Sequence, residues 1–222
     1  MVLWGEEKPR SRGPKPSLTL DGIAAAGIAI AASEGLAAVS MQRVAAEVGC
    51  TKMALYRYLP GKAELVALMV ERALGAPPTL PPDWRAALSS WTSLLLDGFL
   101  RNPWTLPATI GPRPLGPHEL GWTEVALAAC EGLPLSGSER LDTVATLAGH
   151  ARSLAAQADL SESGLLGAMA AHAARFPALM AAMADATAPD QAFGFGLGRI
   201  LDGLDVLITT RKSAGVKDLH DG

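Results

Sequence analysis

The sequence predicts an all-α protein, a small N-terminal three-helix unit of helix-turn-helix type followed by a larger helical bundle. Three observations predict it. Apolar residues recur at three- and four-residue spacing through every long segment. Capping residues and glycines bracket those segments, with Thr19, Ser40, Thr51, Asp83 and Ser138 at their starts and Gly35, Gly49 and Gly75 at their ends. The run 76–82, with Pro77, Pro78, Pro81 and Pro82, stops any helix and divides the chain unequally, because each proline lacks an N–H and restricts the residue before it.

Taken in order, residues 1–17 read as a basic flexible arm in which Pro9, Pro14 and Pro16 alternate with Lys8, Arg10, Arg12 and Lys15. Such an arm can lie along phosphates or stay solvated. The first helix starts at Thr19, and Leu20, Ile23, Ala24, Gly27, Ile30 and Ala31 form its apolar stripe. Ser40 caps a second helix of about nine residues whose inner face is Val44, Ala45 and Val48. Gly49 turns the chain, since glycine enters positive φ without a Cβ penalty. Thr51 caps the third helix, with Leu55, Tyr58 and Leu59 on one side and Lys52, Met53, Tyr56 and Arg57 on the other. Lys62 opens a fourth helix, striped by Leu65, Val66, Met69, Val70 and Ala73, that ends at Gly75.

Beyond the proline run, Asp83 starts a helix carrying Trp84, Leu88, Trp91, Leu95 and Phe99. Residues 102–117 hold five prolines and two glycines, which permits only a short helix within 104–110. Further helices are expected over 117–131, from Ser138 to 158, over 163–184 bent or broken at Pro177, and from near Pro189 to about Thr210. In the last of these, glycines 194, 196, 198 and 203 cost helix stability, about 0.8–1.0 kcal/mol each relative to alanine. Close approach of another helix would explain them. The boundaries predicted are 18–75 for the first domain, 76–212 for the second and 213–222 for a tail.

Bulk properties narrow the class. A chain of 222 residues that is 49% hydrophobic can bury a sizeable core. No apolar run of membrane-spanning length occurs, the N-terminal segment lacks the apolar core of a secretory signal, and Cys50 and Cys130 have neither zinc-type nor CxxC spacing. A cytoplasmic protein with no membrane partner is expected. Through Lys62 there are eight basic and five acidic residues, net +3, so a total of −3 leaves −6 for the remainder. A basic head on an acidic body suits a DNA reader with a different second function.

The segment from Ser40 to Leu65 resembles the DNA-binding domain of the TetR family of bacterial transcriptional regulators. Val44-Ala45, Gly49, Leu55-Tyr56 and Gly61-Lys62-Ala63-Glu64-Leu65 carry the resemblance. More loosely, Gly111-Pro112-Arg113 and Phe193-Gly194-Phe195-Gly196-Leu197 resemble the tetracycline-repressor type of C-terminal domain, implying a helical-bundle ligand-binding and dimerisation domain. The resemblance implies double-stranded operator DNA, a small-molecule ligand and a homodimer as partners. It places DNA contacts at Gln42, Lys52, Met53, Ala54, Tyr56, Arg57, Tyr58 and Lys62. Gln42, Lys52 and Arg57 suit base edges, and Tyr56 and Lys62 suit phosphates.

For the second domain, four tryptophans between residues 84 and 122 suggest an aromatic cavity. The candidate ligand residues are Trp91, Phe99, Trp104, Arg113, Trp122, His150, Met169 and His172, with His118 as a further polar group. The candidate dimer interface is Leu141, Ala148, Phe193, Leu197, Ile200, Leu201 and Leu204, from the Ser138 helix and the last helix. The histidines, His118, His150, His172 and His220, show no metal-ligand spacing, so no metal and no cofactor is expected. GxSxG and P-loop motifs are missing, and the glycines at 194–198 lie in a helical apolar pattern, which speaks against an enzyme. The reading is a dimeric repressor released from its operator by a small apolar or aromatic ligand. A helical small-molecule-binding or sequestering protein with a vestigial DNA-binding head is the alternative.

Overall fold

Two apolar cores joined by one helix organise the protein, described by a computed structural model over residues 2–5, 18–158, 172–185 and 191–218. The helices are α1 (Leu20–Glu34), α2 (Met41–Glu47), α3 (Lys52–Tyr56), α4 (Lys62–Leu74), α5 (Trp84–Arg101), α6 (Thr105–Ala108), α7 (Pro117–Ala128), α8 (Gly137–Gln157), α9 (Pro177–Asp185) and α10 (Ala192–Asp218). Short 3-10 turns occur at Val2–Trp4, Leu36–Ala38 and Ala173–Arg175, and no strand occurs among the described residues.

The caps explain where these helices begin. The side chains of Thr19, Ser40, Thr51 and Asp83 accept from the backbone N–H of Gly22, Arg43, Ala54 and Ala86, satisfying donors that each first turn leaves open. The eighth helix departs from the expected start. Its cap is Ser136, not Ser138, because Glu139 lies three residues on and reaches back to the Ser136 N–H in a capping box. Other boundaries move too. α2 has seven residues, α7 ends at Ala128, and α10 starts at Ala192 and continues through the expected tail to Asp218. Of the two expectations for Pro177 the break holds, since this residue begins α9 as suits a first-turn proline, while 163–171 lies outside the described residues. At the N-terminus, Leu3 packs on the head core and the Trp4 indole donates to the Leu115 carbonyl at 3.0 Å, so residues 2–4 are not free arm.

The head core gathers Ile23 and Ile30 from α1, Val44 from α2, Leu55 from α3, and Leu65 and Met69 from α4, with Leu59 beyond α3. Leu55, Leu59 and Leu65 are fully buried, and truncating such a leucine to alanine costs about 2–5 kcal/mol. For a helix of five residues that anchorage replaces intrinsic helical stability. Two glycines have geometric reasons. Gly49 takes φ of 68° between α2 and α3, and a Cβ on Gly27 would stand 2.7 Å from the Met69 sulfur where α1 crosses α4. Ion pairs tie the same helices, Arg43 to Glu34 and Arg72 to Asp21, each at 2.6 Å.

The body core is built by Leu88 and Trp91 of α5, Trp122 and Ala126 of α7, Val144 and Leu147 of α8, and Leu197, Leu201, Leu204 and Ile208 of α10. Arg85–Asp202 and Arg211–Glu139 pairs clamp α10 to α5 and to the start of α8. Gly196 lets α8 come close, since a Cβ there would lie 2.3 Å from the His150 ring. α4 belongs to both cores. It enters from the head, and its far half lies against α6 and α7.

Candidate functional site

One candidate site is the exposed face of α2 and α3. With Leu55 buried, helical geometry sends Lys52, Met53, Tyr56 and Arg57 outward, and all are exposed, Met53 at 75%. The Lys52 ammonium lies 5.8 Å from the centroid of the Tyr56 ring. Gln42 and Lys62 are exposed at the starts of α2 and α4, whereas Ala54 is half-buried. Tyr58 is half-buried as well and packs on the head core. The face therefore presents three cations, an amide, a thioether and a phenol, a donor-rich convex surface of a width that a major groove admits.

The second candidate is a cavity of about 480 Å³ bounded by α4, α5, α6, α7 and α8. Its apolar wall includes Val70, Ala73 and Leu74 of α4, Trp91, Leu95 and Phe99 of α5, Trp122 of α7 and Val144 of α8. Polar groups come from Asn102, Thr105, Thr109, Glu119, Thr123, Asp142 and Arg152. Arg113, with only 8% of its side chain exposed, pairs with Glu119 in a bidentate fork from behind the wall. Arg152 donates to the Leu106 carbonyl at 3.0 Å and sits 5.0 Å from the centroid of the Phe99 ring. Burial, and then the Arg113 guanidinium nearby, lower the Arg152 pKa against the opposing pull of Glu119.

The cavity shares α4 with the head, and α4 also carries Glu71. This α4 carboxylate is 3% exposed and accepts from the backbone N–H of His118 at 2.8 Å and of Glu119 at 3.0 Å. It thereby caps α7 from another helix, where the first-turn N–H groups and the helix dipole favour a negative charge. The His118 Nδ1 donates to the Glu71 carbonyl at 3.0 Å, closing the junction. Gly116 is required beside it, because a Cβ there would fall 2.2 Å from the Glu71 carboxyl carbon. One turn on, the Trp122 indole donates to the Gly75 carbonyl at 3.2 Å, and the Trp91 indole donates to the Trp122 carbonyl at 2.8 Å.

Of the sequence candidates, Trp91, Phe99 and Trp122 line the cavity and Arg113 supports it. Trp104 does not line it. That ring is buried in the head core, where α6 carries it beneath α4, and its N–H has no partner among the described residues. His150 is on the far side of α8, stacked on Phe193 at 5.7 Å with its Nε2 3.1 Å from the Phe193 carbonyl. His172 is exposed, and Met169 lies outside the described residues.

The expected interface residues are also redistributed. Leu197, Leu201 and Leu204 are buried in the body core, Leu141, which is 55% exposed, and Ala148 line the cavity, Phe193 is engaged by His150, and Ile200 and Leu204 border an outward groove. The cavity residues that sequence reading missed are mostly aliphatic or hydroxyl side chains on α4 to α8. Glu71 did carry a signal, an acid directly after the apolar run from Leu65 to Val70 in α4.

Two family models cover the chain, one for bacterial regulatory proteins of the tetR family over residues 23–69, the other for the tetracyclin repressor-like C-terminal domain over 77–208. The chain belongs to the tetR family. This tetR-family chain is 37% identical to the HTH-type transcriptional repressor DrrR1 of Streptomyces coeruleorubidus, over 95% of its own length and 86% of the relative's. It is 28% identical to an HTH-type transcriptional regulator of Saccharopolyspora erythraea, over 65% of its length and 61% of that protein. Among solved structures, the TetR family protein ActR of Streptomyces coelicolor in complex with (S)-DNPA matches with a TM-score of 0.72 at 24% identity, over 86% of this chain and 98% of that one. The same protein in complex with actinorhodin gives 0.68 at 24%, over 84% and 95%. Those likenesses are of fold. Family membership makes the chain a DNA-binding transcriptional regulator whose head carries the helix-turn-helix.

Proposed function

We propose that the chain is a homodimeric repressor that leaves its operator when a small apolar or aromatic molecule occupies the cavity. The observation that carries this reading is the double role of α4. It begins at Lys62, beside the exposed face of α3, and its far half supplies Val70, Ala73 and Leu74 to the cavity wall and Glu71 to the cap of α7. A molecule pressing on that wall therefore acts on the helix that holds the head. DrrR1 is a repressor by name and ActR is a ligand-binding member of the family, which supports repression and a ligand here.

Gln42, Lys52 and Arg57 are assigned to base edges and Tyr56 and Lys62 to phosphates, with Met53 and Ala54 against thymine methyls. Tyr58 belongs chiefly to the head core. Pairing would use the outward sides of α8 and α10, where Phe195 and Val206 are 69% and 66% exposed and Ile200, Gly203 and Leu207 line a shallow groove with Thr143 and Thr146 of α8. In a dimer the two recognition helices must stand about 34–36 Å apart to enter successive major grooves. A ligand that changes this spacing disfavours the bound state.

A single titration tests the proposal. Tryptophan fluorescence and DNA binding are followed together while a ligand found by thermal-shift screening is added. Quenching of the cavity tryptophans and loss of the DNA complex are expected over one concentration range. Lys52→Ala and Arg57→Ala should abolish the DNA signal while keeping the quench and the thermal stability. Quenching with no change in DNA binding would sink the induction reading.

A further inference from the structure

We propose that the cavity selects an aromatic molecule bearing an acidic group, and that Arg152 holds the acid. The inference rests on the cavity being the effector site, and it follows from the pairing of charges along the wall. Three ionised side chains meet at the inner end, Arg113, Glu119 and Arg152. Arg113 and Glu119 neutralise each other in their fork. Arg152 is left over. Among the described residues no carboxylate lies within ion-pair distance of it, and its one hydrogen bond, to the Leu106 carbonyl, uses one of five N–H donors.

Asp142 is the other acid on the lining, and it does not compensate. It lies ten residues before Arg152 on the same helix, about 15 Å along the axis at about 1.5 Å per residue. Its side is also solvent-exposed, whereas Arg152 is half-buried against Phe99. A half-buried guanidinium with no ion-pair partner of its own is partly desolvated, and that cost falls when an anion arrives with it. A carboxylate, sulfonate or acidic phenol on the ligand can take two parallel N–H donors from the fork, in a setting where such bonds are stronger than in water. The flat faces of Trp91, Trp122 and Phe99 select for rings on the remainder of the ligand. Since Arg152 bonds α6 and its neighbour Glu119 sits in the α7 turn capped by Glu71, an acid placed there also meets the junction with α4.

The test uses two probes with one skeleton, 8-anilinonaphthalene-1-sulfonate and its uncharged counterpart N-phenyl-1-naphthylamine. Binding of each to the full chain is measured by fluorescence enhancement and by calorimetry, for the wild type, Arg152→Met and Arg152→Lys. Arg152→Met should weaken the sulfonate about tenfold or more and leave the neutral probe within about twofold. Arg152→Lys, which keeps a point charge without the fork, should bind the sulfonate with an affinity between those of the wild type and Arg152→Met. Equal losses for both probes in Arg152→Met, or undiminished sulfonate binding, overturns the acid assignment while leaving the cavity as a binding site. Failure of both probes to bind the wild type overturns the cavity reading and this inference together.

Discussion

Glu71→Gln tests the coupling at its narrowest point. The native carboxylate accepts one backbone N–H on each oxygen, from His118 at 2.8 Å and from Glu119 at 3.0 Å. A glutamine has the same shape but one acceptor, so its NH₂ must face one of those N–H groups. One buried donor loses its partner, which costs about 1–3 kcal/mol, partly offset because no carboxylate is desolvated. A net loss of about 2 kcal/mol lowers the melting temperature of a chain this size by about 4–8 °C. Stability is only the first readout. The decisive one is the ratio of DNA affinities with and without ligand, measured by fluorescence anisotropy on a duplex enriched from a random pool by the wild-type protein. Coupling free energies of allosteric proteins are about 1–3 kcal/mol, so losing the cap should shrink that ratio about tenfold while ligand and DNA each still bind alone. Gly116→Ala should reproduce the effect from the other side, since its Cβ would fall 2.2 Å from the Glu71 carboxyl carbon. A lowered melting temperature with an unchanged ratio in both variants would refute the coupling role and leave the cap purely structural.

Two more predictions concern α10. Phe195→Asp with Val206→Asp places charge on exposed positions and should give monomers in sedimentation without unfolding the protomer, whereas a persistent dimer would move the interface off this face. For pH, Glu139 is held at about 2 by its bonds to Arg211 and to the Ser136 backbone, below the ordinary 4.5. A depressed folded-state pKa means stabilisation that is complete above about 4.5 and lost as pH falls toward 2. An NMR titration of the Glu139 carboxyl in the folded protein should therefore be centred near 2, where the Arg211 clamp releases, and Glu139→Gln should flatten the acid limb of a stability profile. A Glu139 titration centred near 4.5 would show that the clamp does not hold in solution.

How much of this was legible in the sequence depends on what kind of signal each feature leaves. Local signals carried well. Thr19, Ser40, Thr51 and Asp83 cap where an oxygen-bearing side chain precedes a periodic run, and Gly49 turns where periodicity breaks. Ser138 was mistaken for the cap because two serines compete there, and only the Ser136 to Glu139 spacing decides between them. The interface residues are harder to read for a deeper reason. Periodicity identifies the apolar stripe of α10 but not whose core receives it, and Leu197, Leu201 and Leu204 turn out to serve their own protomer. Trp104 shows the same limit within one chain. An aromatic residue in an irregular connection can join either core, and only the path of α6 sends it to the head. Arg152 and Glu71 become informative only in space, one through the missing counter-charge and the other through contact with a helix 47 residues away.

Whether occupancy of such a cavity can run the switch is a question of magnitude. α4 has 13 residues, so it spans about 20 Å, with no proline or glycine inside and a glycine at each flank, Gly61 and Gly75. A short helix without proline or glycine inside has no built-in kink, so in the proposed switch a displacement of Val70, Ala73 and Leu74 would carry to Lys62. Taking the protein from 99:1 DNA-competent to 1:99 requires about 5.5 kcal/mol of differential ligand binding. At about 25 cal/mol per Å² that is about 220 Å² of apolar ligand surface buried in one state and not in the other. One large aromatic side chain buries about 150–250 Å², so a ligand of two or three fused rings contains enough surface before ordering costs are counted. A charge-assisted bond to Arg152 that forms in only one of the two states adds to the same difference. In the proposed switch the surface of the ligand would supply the drive, and the Glu71 cap would set how much of it reaches the DNA-binding face.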